Sequence, residues 1–288
     1  MKKVVFIILN YRTYEDTIRQ VTELVEEDRR DIQIIIVDNC SPNESYEKLR
    51  DIFKENDLVD VIQTSNNWGF AKGNNYGLKY ASKYTPEFVC VINNDVHFSL
   101  ETIDALCNIY VKLDSPAVIS PIQMLPDNKI ARFKELRVPS FWRYVRDYTF
   151  LFSNPQHKYV SNTTFGNVQK VEWIPGAFMF TKYNTFKSIE FFDEDTFLYG
   201  EESLLAGKIK KEGLNNYIIL DQQYIHEHSK TISTVLSVKR QSKLIFQGKK
   251  IFLKKYSPSL IWLKIPVLYI SYRFNLMCQI IINAISKA

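Results

Sequence analysis

The residues of this 288-residue chain best suited to holding a polar ligand are amides and carboxylates that directly follow short runs rich in Val and Ile. They stand at four places, namely Asn10-Tyr11, Asp38-Asn39, Asn66-Asn67 and Asn93-Asn94-Asp95. Burial of such groups costs free energy unless a hydrogen-bond partner, a ligand or a metal satisfies them. Any one of them can be explained as a cap of the helix that follows. Four of them at one sheet edge favour a crevice that binds a ligand.

Two pairs of titratable residues lie further along the chain. Glu201-Glu202 opens a predicted helix, where an acidic first turn would also complement the helix dipole. His226 and His228 follow a predicted strand, and alternation would place both rings on one side if that strand continues. The alternative for the two histidines is a solvated loop.

The glycine pattern argues against the commonest nucleotide-binding motifs. No G-x-G-x-x-G follows the first strand, which weakens a Rossmann dehydrogenase, and no G-x-x-x-x-G-K-[ST] occurs, which weakens a P-loop enzyme. The Gly-rich segment is instead Asn67 to Gly77, between the third predicted strand and the fourth.

The elements that must position these residues alternate in type over the first 120 residues. Predicted strands occupy Val4–Leu9, Ile32–Val37, Val59–Gln63, Phe88–Ile92 and Ala117–Ile119, and amphipathic helices fill the gaps between them. Repeated βα units indicate an α/β fold with a doubly wound parallel sheet, whose ligands bind at the carboxyl ends of the strands. Residues 122–170 are predicted as loops, 217–220 as a last strand, and the chain from 231 onward as helical.

In this order the motifs resemble family 2 glycosyltransferases of the GT-A fold, and most closely the rhamnosyltransferase-like branch. The resemblance covers about residues 3–230. The motifs that carry it are Ile8-Leu9-Asn10-Tyr11, Val37-Asp38-Asn39, the segment Asn67 to Gly77, Ile92-Asn93-Asn94-Asp95, Trp173-Ile174-Pro175-Gly176-Ala177-Phe178-Met179, Phe192-Asp193-Glu194 followed by Glu201-Glu202, and His226-x-His228.

The resemblance implies a Rossmann-like, mostly parallel sheet flanked by helices. It also implies a catalytic domain over residues 1–230. The composition of the remaining residues, 231–288, predicts a basic, amphipathic, helical C-terminal extension. The expected activity is inverting transfer of a sugar from a nucleoside diphosphate donor to a hydroxyl of a glycan or lipid-linked acceptor, in bacterial surface polysaccharide synthesis. Two other functions stay open: a sugar-phosphate nucleotidyltransferase, and a catalytically inactive subunit that binds nucleotide sugars.

The resemblance also assigns roles to residues of this chain. Glu202 takes the position of the catalytic base, beside Glu201. Asp95 and His226 take the metal position, for Mn²⁺ or Mg²⁺. The acceptor side would include Gly176 and Ala177 with Trp173, for which core packing is an equal alternative. The residues expected to bind the nucleotide sugar are Asn10, Tyr11, Asp38, Asn67, Gly69, Lys72, Asn75, Asn93 and Asn94.

Two positions depart from the family pattern. Asn93 stands where relatives often carry a first Asp, which leaves Asp95 as the one carboxylate of the triplet. The helix motif continues as Ser203-Leu204-Leu205, so the later Asp of relatives is absent. The first departure predicts a weaker metal site, completed by diphosphate oxygens and His226.

Charge is distributed unevenly around the net value of +5. After His228 the chain has 11 Lys and Arg residues and no Asp or Glu, and these alternate with Trp, Leu and Phe. Such a segment suits an anionic membrane face, or alternatively a dimer or domain-packing helix. Nucleic acid is disfavoured because no known reader module accompanies the charge.

The cysteines and the N-terminal residues indicate the cellular compartment in which the protein is expected. Four cysteines without a C-x-x-C pair indicate reduced thiols of a cytosolic protein. The six apolar residues after Met1-Lys2-Lys3 fit a strand better than a signal peptide. We therefore expect a cytoplasmic protein, either free or peripheral at the inner face of the cell membrane.

Overall fold

The first third of the chain alternates strands and helices in a computed structural model, which describes residues 3–27, 29–131, 136–149, 167–227 and 237–285. The elements run β1 (Val4–Asn10), α1 (Tyr14–Val25), β2 (Ile32–Asp38), α2 (Ser45–Phe53), β3 (Val59–Gln63), α3 (Gly69–Tyr80), a 3-10 turn (Ala81–Tyr84) and β4 (Phe88–Asn93). The strands begin and end within about a residue of the apolar runs. Local periodicity was therefore sufficient to predict them.

The rest of the chain completes the sheet and adds helices. It runs β5 (Val96–His97), α4 (Leu100–Tyr110), β6 (Pro116–Met124), α5 (Phe141–Thr149), β7 (Val168–Val171), β8 (Phe178–Lys182), α6 (Tyr183–Ser188), α7 (Glu201–Lys211), β9 (Asn215–His226), α8 (Val238–Tyr256) and α9 (Ile261–Ile285). The prediction of loops over 122–170 was wrong at the end of β6, at α5 and at the start of β7. Residues 150–166 and His228 lie outside the described residues.

One mixed sheet joins the nine strands, in the order β3-β2-β1-β4-β8-β6-β9-β5, with β7 paired to β9. The βα units β1 to β4 pair in parallel, as predicted. β8 then enters antiparallel between β4 and β6, and β9 runs parallel to β6. The expected α/β class with helices flanking the sheet is confirmed, while its second half is more antiparallel than the repeat of βα units indicates.

Each face of the sheet carries its own apolar core. Odd and even residues of the central strands point to opposite faces, so Phe6 and Ile8 join one cluster while Val5 and Ile7 join the other. Both faces are covered by helices, which explains why β1 and β2 are apolar throughout rather than alternating. The polar residues that end these strands lie at the rim of this packed sheet.

Helices α8 and α9 form a third apolar cluster with α5 and α7. Phe252, Leu253 and Leu268 pack there against Leu204 of α7 and against α5. The prediction of a helical extension is confirmed for residues 238–256 and 261–285. None of the described helices is both long enough and apolar enough to cross a bilayer.

Candidate functional site

The carboxyl ends of the first three strands present a row of polar side chains. Asn10, Asp38 and Gln63 are direct neighbours in the register of β1, β2 and β3. Asn10 Nδ2 donates to Asp38 Oδ2 at 2.8 Å, and Gln63 Nε2 donates to Asp38 Oδ1 at 3.1 Å. The backbone N–H of Ser41 also donates to Oδ1, at 2.9 Å. Asp38 is fully buried, whereas Gln63, which donates to it, is exposed.

The third strand end is tied to the same rim through Asn39. Its Nδ2 donates to Asn67 Oδ1 at 3.1 Å and to the Gly69 carbonyl at 3.0 Å, and its Oδ1 accepts from the Trp68 N–H. These bonds fix the segment that opens α3. The polar residues therefore hydrogen-bond one another across the sheet edge.

Gly69 allows a second segment to approach this edge. Its φ is +77°, and a Cβ at this position would lie 1.9 Å from the Phe197 carbonyl oxygen. The N–H of Phe70 donates to that same oxygen at 2.9 Å. Only glycine fits here, and its role is to seat the chain just before α7 against the start of α3.

The loop after β4 is anchored to α1. Asn94 Nδ2 donates to Thr13 Oγ1 at 2.8 Å and to Thr17 Oγ1 at 2.9 Å, and Thr17 in turn donates to Asn10 Oδ1. Gln20 Nε2 bridges two carbonyls of the loop, those of Asn93 and Val96, at 2.8 Å each. The triplet Asn93 to Asp95 is thus held in a fixed conformation before any ligand binds.

Asp95 and His226 meet although 131 positions separate them in the sequence. Residue 226 ends β9 and pairs with Val96 of β5, which brings His226 Nε2 to 3.1 Å from Asp95 Oδ1. Asn93 Nδ2 lies 3.5 Å from the same ring nitrogen. Gln123 Nε2 lies 3.3 Å from His226 Nδ1 and fixes the orientation of the imidazole.

The spacing of this pair fits a divalent cation. Two ligands in adjacent octahedral positions, each about 2.1 Å from the ion, lie roughly 3.0 Å apart, close to the 3.1 Å observed. Among the described residues no cluster of three or more His, Cys, Asp or Glu side chains could hold a metal. The chain would therefore supply two ligands and leave the remaining positions to diphosphate oxygens and water.

Glu202 lies beside the turn that precedes β8. A Cβ on Gly176 would come within 2.8 Å of Glu202 Oε1, so residue 176 must be glycine for the carboxylate to stand where it does. The next residue, Ala177, accepts a hydrogen bond at its carbonyl from the N–H of Asn93. The backbone of Gly176 and Ala177 therefore links the Glu202 carboxylate to Asn93 at the end of β4.

Burial controls the ionisation of both glutamates. Burial raises the pKa of Glu202 above its usual 4.5. Hydrogen bonds from the backbone of Glu202 and Gly176 lower this pKa but do not outweigh the effect of burial. Burial raises the pKa of Glu201 well above that value, and the charge of Glu202 raises it further. Glu201 Oε2 is buried without a hydrogen-bond partner among the described residues. We infer that Glu201 stays neutral while Glu202 is the carboxylate that ionises.

Several residues predicted for donor or acceptor binding make contacts within the protein. Asn75 Nδ2 donates to the Phe192 carbonyl and to Glu194 Oε1, both at 2.9 Å. Lys72 Nζ lies 4.6 Å from the centre of the Trp68 ring. The Trp173 N–H donates to the Leu136 carbonyl, and Arg12 lies over the ring of Tyr11. The ligand roles of Tyr11, Lys72, Asn75 and Trp173 stay predictions.

Sequence reasoning missed the glutamines that support the site. Gln20, Gln63 and Gln123 each hold a predicted site residue or its loop, as described above. One of them left a signal, since Gln20 and Thr17 sit at positions of α1 that also bury Val21 and Leu24. A polar residue on a buried helix face needs a specific partner. Gln123 left no such signal, because its partners are remote in sequence.

Residues 4–185 match the family model described as glycosyl transferase family 2. A curated relative is the low-salt glycan biosynthesis hexosyltransferase of Haloferax volcanii, 25% identical over 218 residues, which cover 73% of this chain and 62% of that protein. The chain thus spans less than two thirds of the length of this relative.

Solved structures of similar fold are glycosyltransferases. A mannosyltransferase from Pyrobaculum calidifontis in complex with GDP-Man and Mn²⁺ superposes with a TM-score of 0.56 at 15% identity, over 94% of this chain and 74% of that one. GalNAc-T7 with UDP, GalNAc and Mn²⁺ gives a TM-score of 0.61 at 14% identity, over 93% of this chain and 55% of that one. TarS of S. aureus in complex with UDP-GlcNAc superposes with a TM-score of 0.56 at 14% identity, over 88% of this chain and 66% of that one.

Proposed function

Because the chain belongs to glycosyl transferase family 2, we propose that it transfers a hexosyl group from a nucleoside diphosphate donor to a hydroxyl acceptor, with inversion. The observation that carries the proposal is the meeting of three groups at one sheet edge. These groups are the Asp38 row, the Asp95–His226 pair and the Glu202 carboxylate beside Gly176. Each group would have a part in sugar transfer. The strands of one sheet and the helices that flank it position all three groups.

The donor would bind across the ends of β1, β2 and β4. Asp38 would accept a hydrogen bond from the nucleobase once Gln63 moves aside, and Asn10 would keep the carboxylate oriented. The similar structures carry UDP, UDP-GlcNAc or GDP-Man, so both uracil and guanine donors belong in a test. The curated relative supports a hexose as the sugar, and a rhamnosyl donor remains the finer prediction from the motifs.

Asp95 and His226 would hold a divalent cation, Mn²⁺ or Mg²⁺. When bound, such an ion stabilises the negative charge of a departing diphosphate. Two of the similar structures contain Mn²⁺, and an imidazole ligand favours Mn²⁺ over Mg²⁺. Gln123 would keep the imidazole oriented for this role, and Asn93 would line the same opening.

Glu202 would act as the base. Its raised pKa makes it a stronger proton acceptor than an ordinary carboxylate, while it still ionises before Glu201. Inversion requires the acceptor hydroxyl to attack the anomeric carbon from the face opposite the diphosphate. Gly176 lets the Glu202 carboxylate lie against the turn before β8, and the acceptor would enter past Gly176 and Ala177, with Trp173 at the edge.

The acceptor is proposed to be a glycan or lipid-linked sugar of a cell-surface polysaccharide. The curated relative takes part in glycan biosynthesis, which supports a carbohydrate acceptor. We propose a cytoplasmic location for the reaction, at the inner membrane face where lipid-linked intermediates are accessible. The catalytic part would be residues 1–230, with 231–288 as an extension packed against it.

A nucleotide-sugar screen tests this function. Thermal unfolding is followed with UDP-, GDP- and other nucleotide-linked hexoses, each with Mn²⁺, Mg²⁺ or EDTA. A ligand at 100 times its Kd stabilises the fold by about 2.7 kcal/mol. We expect stabilisation by one donor class with metal, and metal-dependent donor hydrolysis or transfer. Turnover of sugar phosphate with a nucleoside triphosphate would indicate a nucleotidyltransferase instead, and binding without any turnover would indicate an inactive subunit.

A further inference from the structure

Helix α9 leaves one face uncovered, and apart from Arg273 that face is apolar. Its most exposed large hydrophobic residues are Trp262 and Ile270, with 72% and 67% of their surface accessible. The same face carries Leu263, Phe274, Met277 and Ile281, each about half exposed. At 100° per residue these six side chains fall within an arc of roughly 120°. Leu268, Tyr272 and Asn275, on the other side of the helix, are buried.

Helix α8 carries a basic stripe beside this apolar face. Lys239, Lys243, Lys250 and Lys254 fall within an arc of roughly 60° of α8. The stripe borders Phe246, whose ring stacks on Tyr272 and meets Tyr269 of α9 edge-on. The basic stripe thus begins where α8 contacts α9.

Both stripes turn away from α5. Helix α8 contacts α5 through Phe252 and Lys249, which lie on the other side of Phe246 from the basic stripe. Helix α9 contacts α5 through Tyr272 and Asn275, which lie opposite its apolar arc. The two stripes therefore form one continuous surface on the same side of the helix pair.

We propose that this surface docks on an anionic lipid bilayer. Cations at headgroup level and an apolar helix face at the acyl boundary are the combination that holds an amphipathic helix in a membrane interface. A second copy of the chain fits the surface less well. The surface carries the four lysines of the basic stripe and Arg273, and the described parts of α8 and α9 contain no carboxylate, so two such faces would repel each other.

The proposal is tested by vesicle co-sedimentation of the full chain. Phosphatidylcholine vesicles with phosphatidylglycerol are compared with phosphatidylcholine alone, at low and high salt. We expect binding to the anionic vesicles to be at least about tenfold tighter, since each cation near such a surface contributes roughly a fivefold factor. High salt should weaken this binding without abolishing it, because screening leaves the apolar contribution intact.

Three variants distinguish the contributions of the apolar face and the basic stripe to vesicle binding from the effect of overall positive charge. The apolar variant carries Trp262→Ser, Ile270→Ser and Met277→Ser, and should lose the salt-resistant binding. The basic variant carries Ser at Lys239, Lys243, Lys250 and Lys254, and should lose the preference for anionic vesicles. The matched control carries Ser at four exposed lysines outside α8 and α9, namely Lys48, Lys54, Lys112 and Lys211, and should bind like the original chain.

Three results would overturn the proposal. The first is equal vesicle binding by all three variants, and the second is no vesicle binding by the original chain. The third is a dimer in light scattering that the apolar variant converts to monomers, which would assign the surface to a second copy. Circular dichroism and nucleotide-sugar binding of each variant show that the fold is intact.

Discussion

At the scale of single residues, the proposed chemistry would depend on the unequal ionisation of two adjacent carboxyls, Glu201 and Glu202. Glu202 contacts the Gly176 turn and Glu201 is buried. Glu202→Gln keeps the size of the side chain and removes the proton acceptor, so we expect kcat to fall at least about 10²-fold with donor Kd little changed. The original enzyme should lose kcat/KM on acidification at a pH above 4.5, because the pKa of Glu202 is raised.

The neighbouring variant serves as the control for this prediction. Glu201→Gln should retain most of kcat. If Glu201→Gln lost activity and Glu202→Gln did not, the two roles would be exchanged. A product with retained anomeric configuration, observed by NMR, would contradict the inverting mechanism.

Glu201 also makes a prediction about stability. Its pKa in the folded protein lies well above the 4.5 of an exposed Glu. The unfolded chain therefore releases this proton at lower pH than the folded protein does, and stability falls as pH rises from about 4.5 toward the folded pKa. Glu201→Gln removes this loss, so its melting temperature relative to the original chain should increase as the pH rises above about 4.5. A difference that does not depend on pH would show that Glu201 is not held neutral.

Substitutions at Asp95 and at Gln123, the partner of His226 Nδ1, test the proposed metal ligands Asp95 and His226. Asp95→Ala should abolish Mn²⁺-dependent donor binding and activity. Gln123→Leu leaves both ligands in place and removes the partner of His226 Nδ1, so metal affinity should fall about 10–100-fold. Donor-induced thermal shifts measured over a Mn²⁺ titration report both effects. Full activity of Asp95→Ala, or of the original chain in EDTA, would remove the metal assignment.

At the scale of secondary-structure elements, α8 seats the turn that carries the two glutamates. Gly248 of α8 meets Tyr199 and Gly200, and a Cβ at residue 248 would lie 2.4 Å from the Tyr199 carbonyl oxygen. Tyr199 and Gly200 both have positive φ. The close approach of a helix to this turn therefore requires glycine on both sides, and it fixes the residues immediately before Glu201.

Gly248→Ala tests whether this contact positions the base. In a helix the change alone would stabilise by about 1 kcal/mol, but here the methyl group meets backbone and forces α8 and the turn apart. We expect a net destabilisation of about 1–3 kcal/mol and a lower kcat with donor Kd unchanged. Gln247→Ala, at an exposed neighbour on the same helix, should change neither. A stabilised, fully active Gly248→Ala would show that the turn does not depend on α8.

At the scale of the whole molecule, the C-terminal helices share an apolar cluster with the rest of the fold. Leu204, in the helix that begins with Glu201 and Glu202, is fully buried in the cluster that includes Phe252, Leu253 and Leu268. Lys255 Nζ adds ion pairs to Asp193 at 2.6 Å and to Asp195 at 2.7 Å. These contacts place the C-terminal helices against α7 and the loop that precedes it, which contain the residues of the proposed acceptor side.

A chain that ends before Ser237 should therefore be unstable. Exposure of Leu204 alone forfeits about 1.5–3 kcal/mol, and the aromatic residues of α5 would lose their partners as well. We expect a single unfolding transition for the full chain by calorimetry, and a lower melting temperature with aggregation for the shortened one. Two separate transitions, or a shortened chain of unchanged stability, would show that the extension folds independently.

The sequence by itself determined the elements of the first half and the residues at their ends. Runs of Val and Ile marked β1 to β4 because both faces of these strands are covered, and the parallel order followed from the βα repeat. Asn10, Asp38 and Asn93 to Asp95 could be placed at one edge for the same reason. The order of the motifs then indicated the family.

Only the tertiary structure decided how these ends become a site. The antiparallel entry of β8 brings Gly176 and Ala177 beside Asn93, and the length of β9 carries His226 to Asp95. The packing of α8 on the Tyr199-Gly200 turn could not be predicted either. Periodicity reports which face of an element is buried, whereas each of these contacts joins residues tens to more than a hundred positions apart. Such contacts depend on packing and close backbone approach between elements, which no local pattern records.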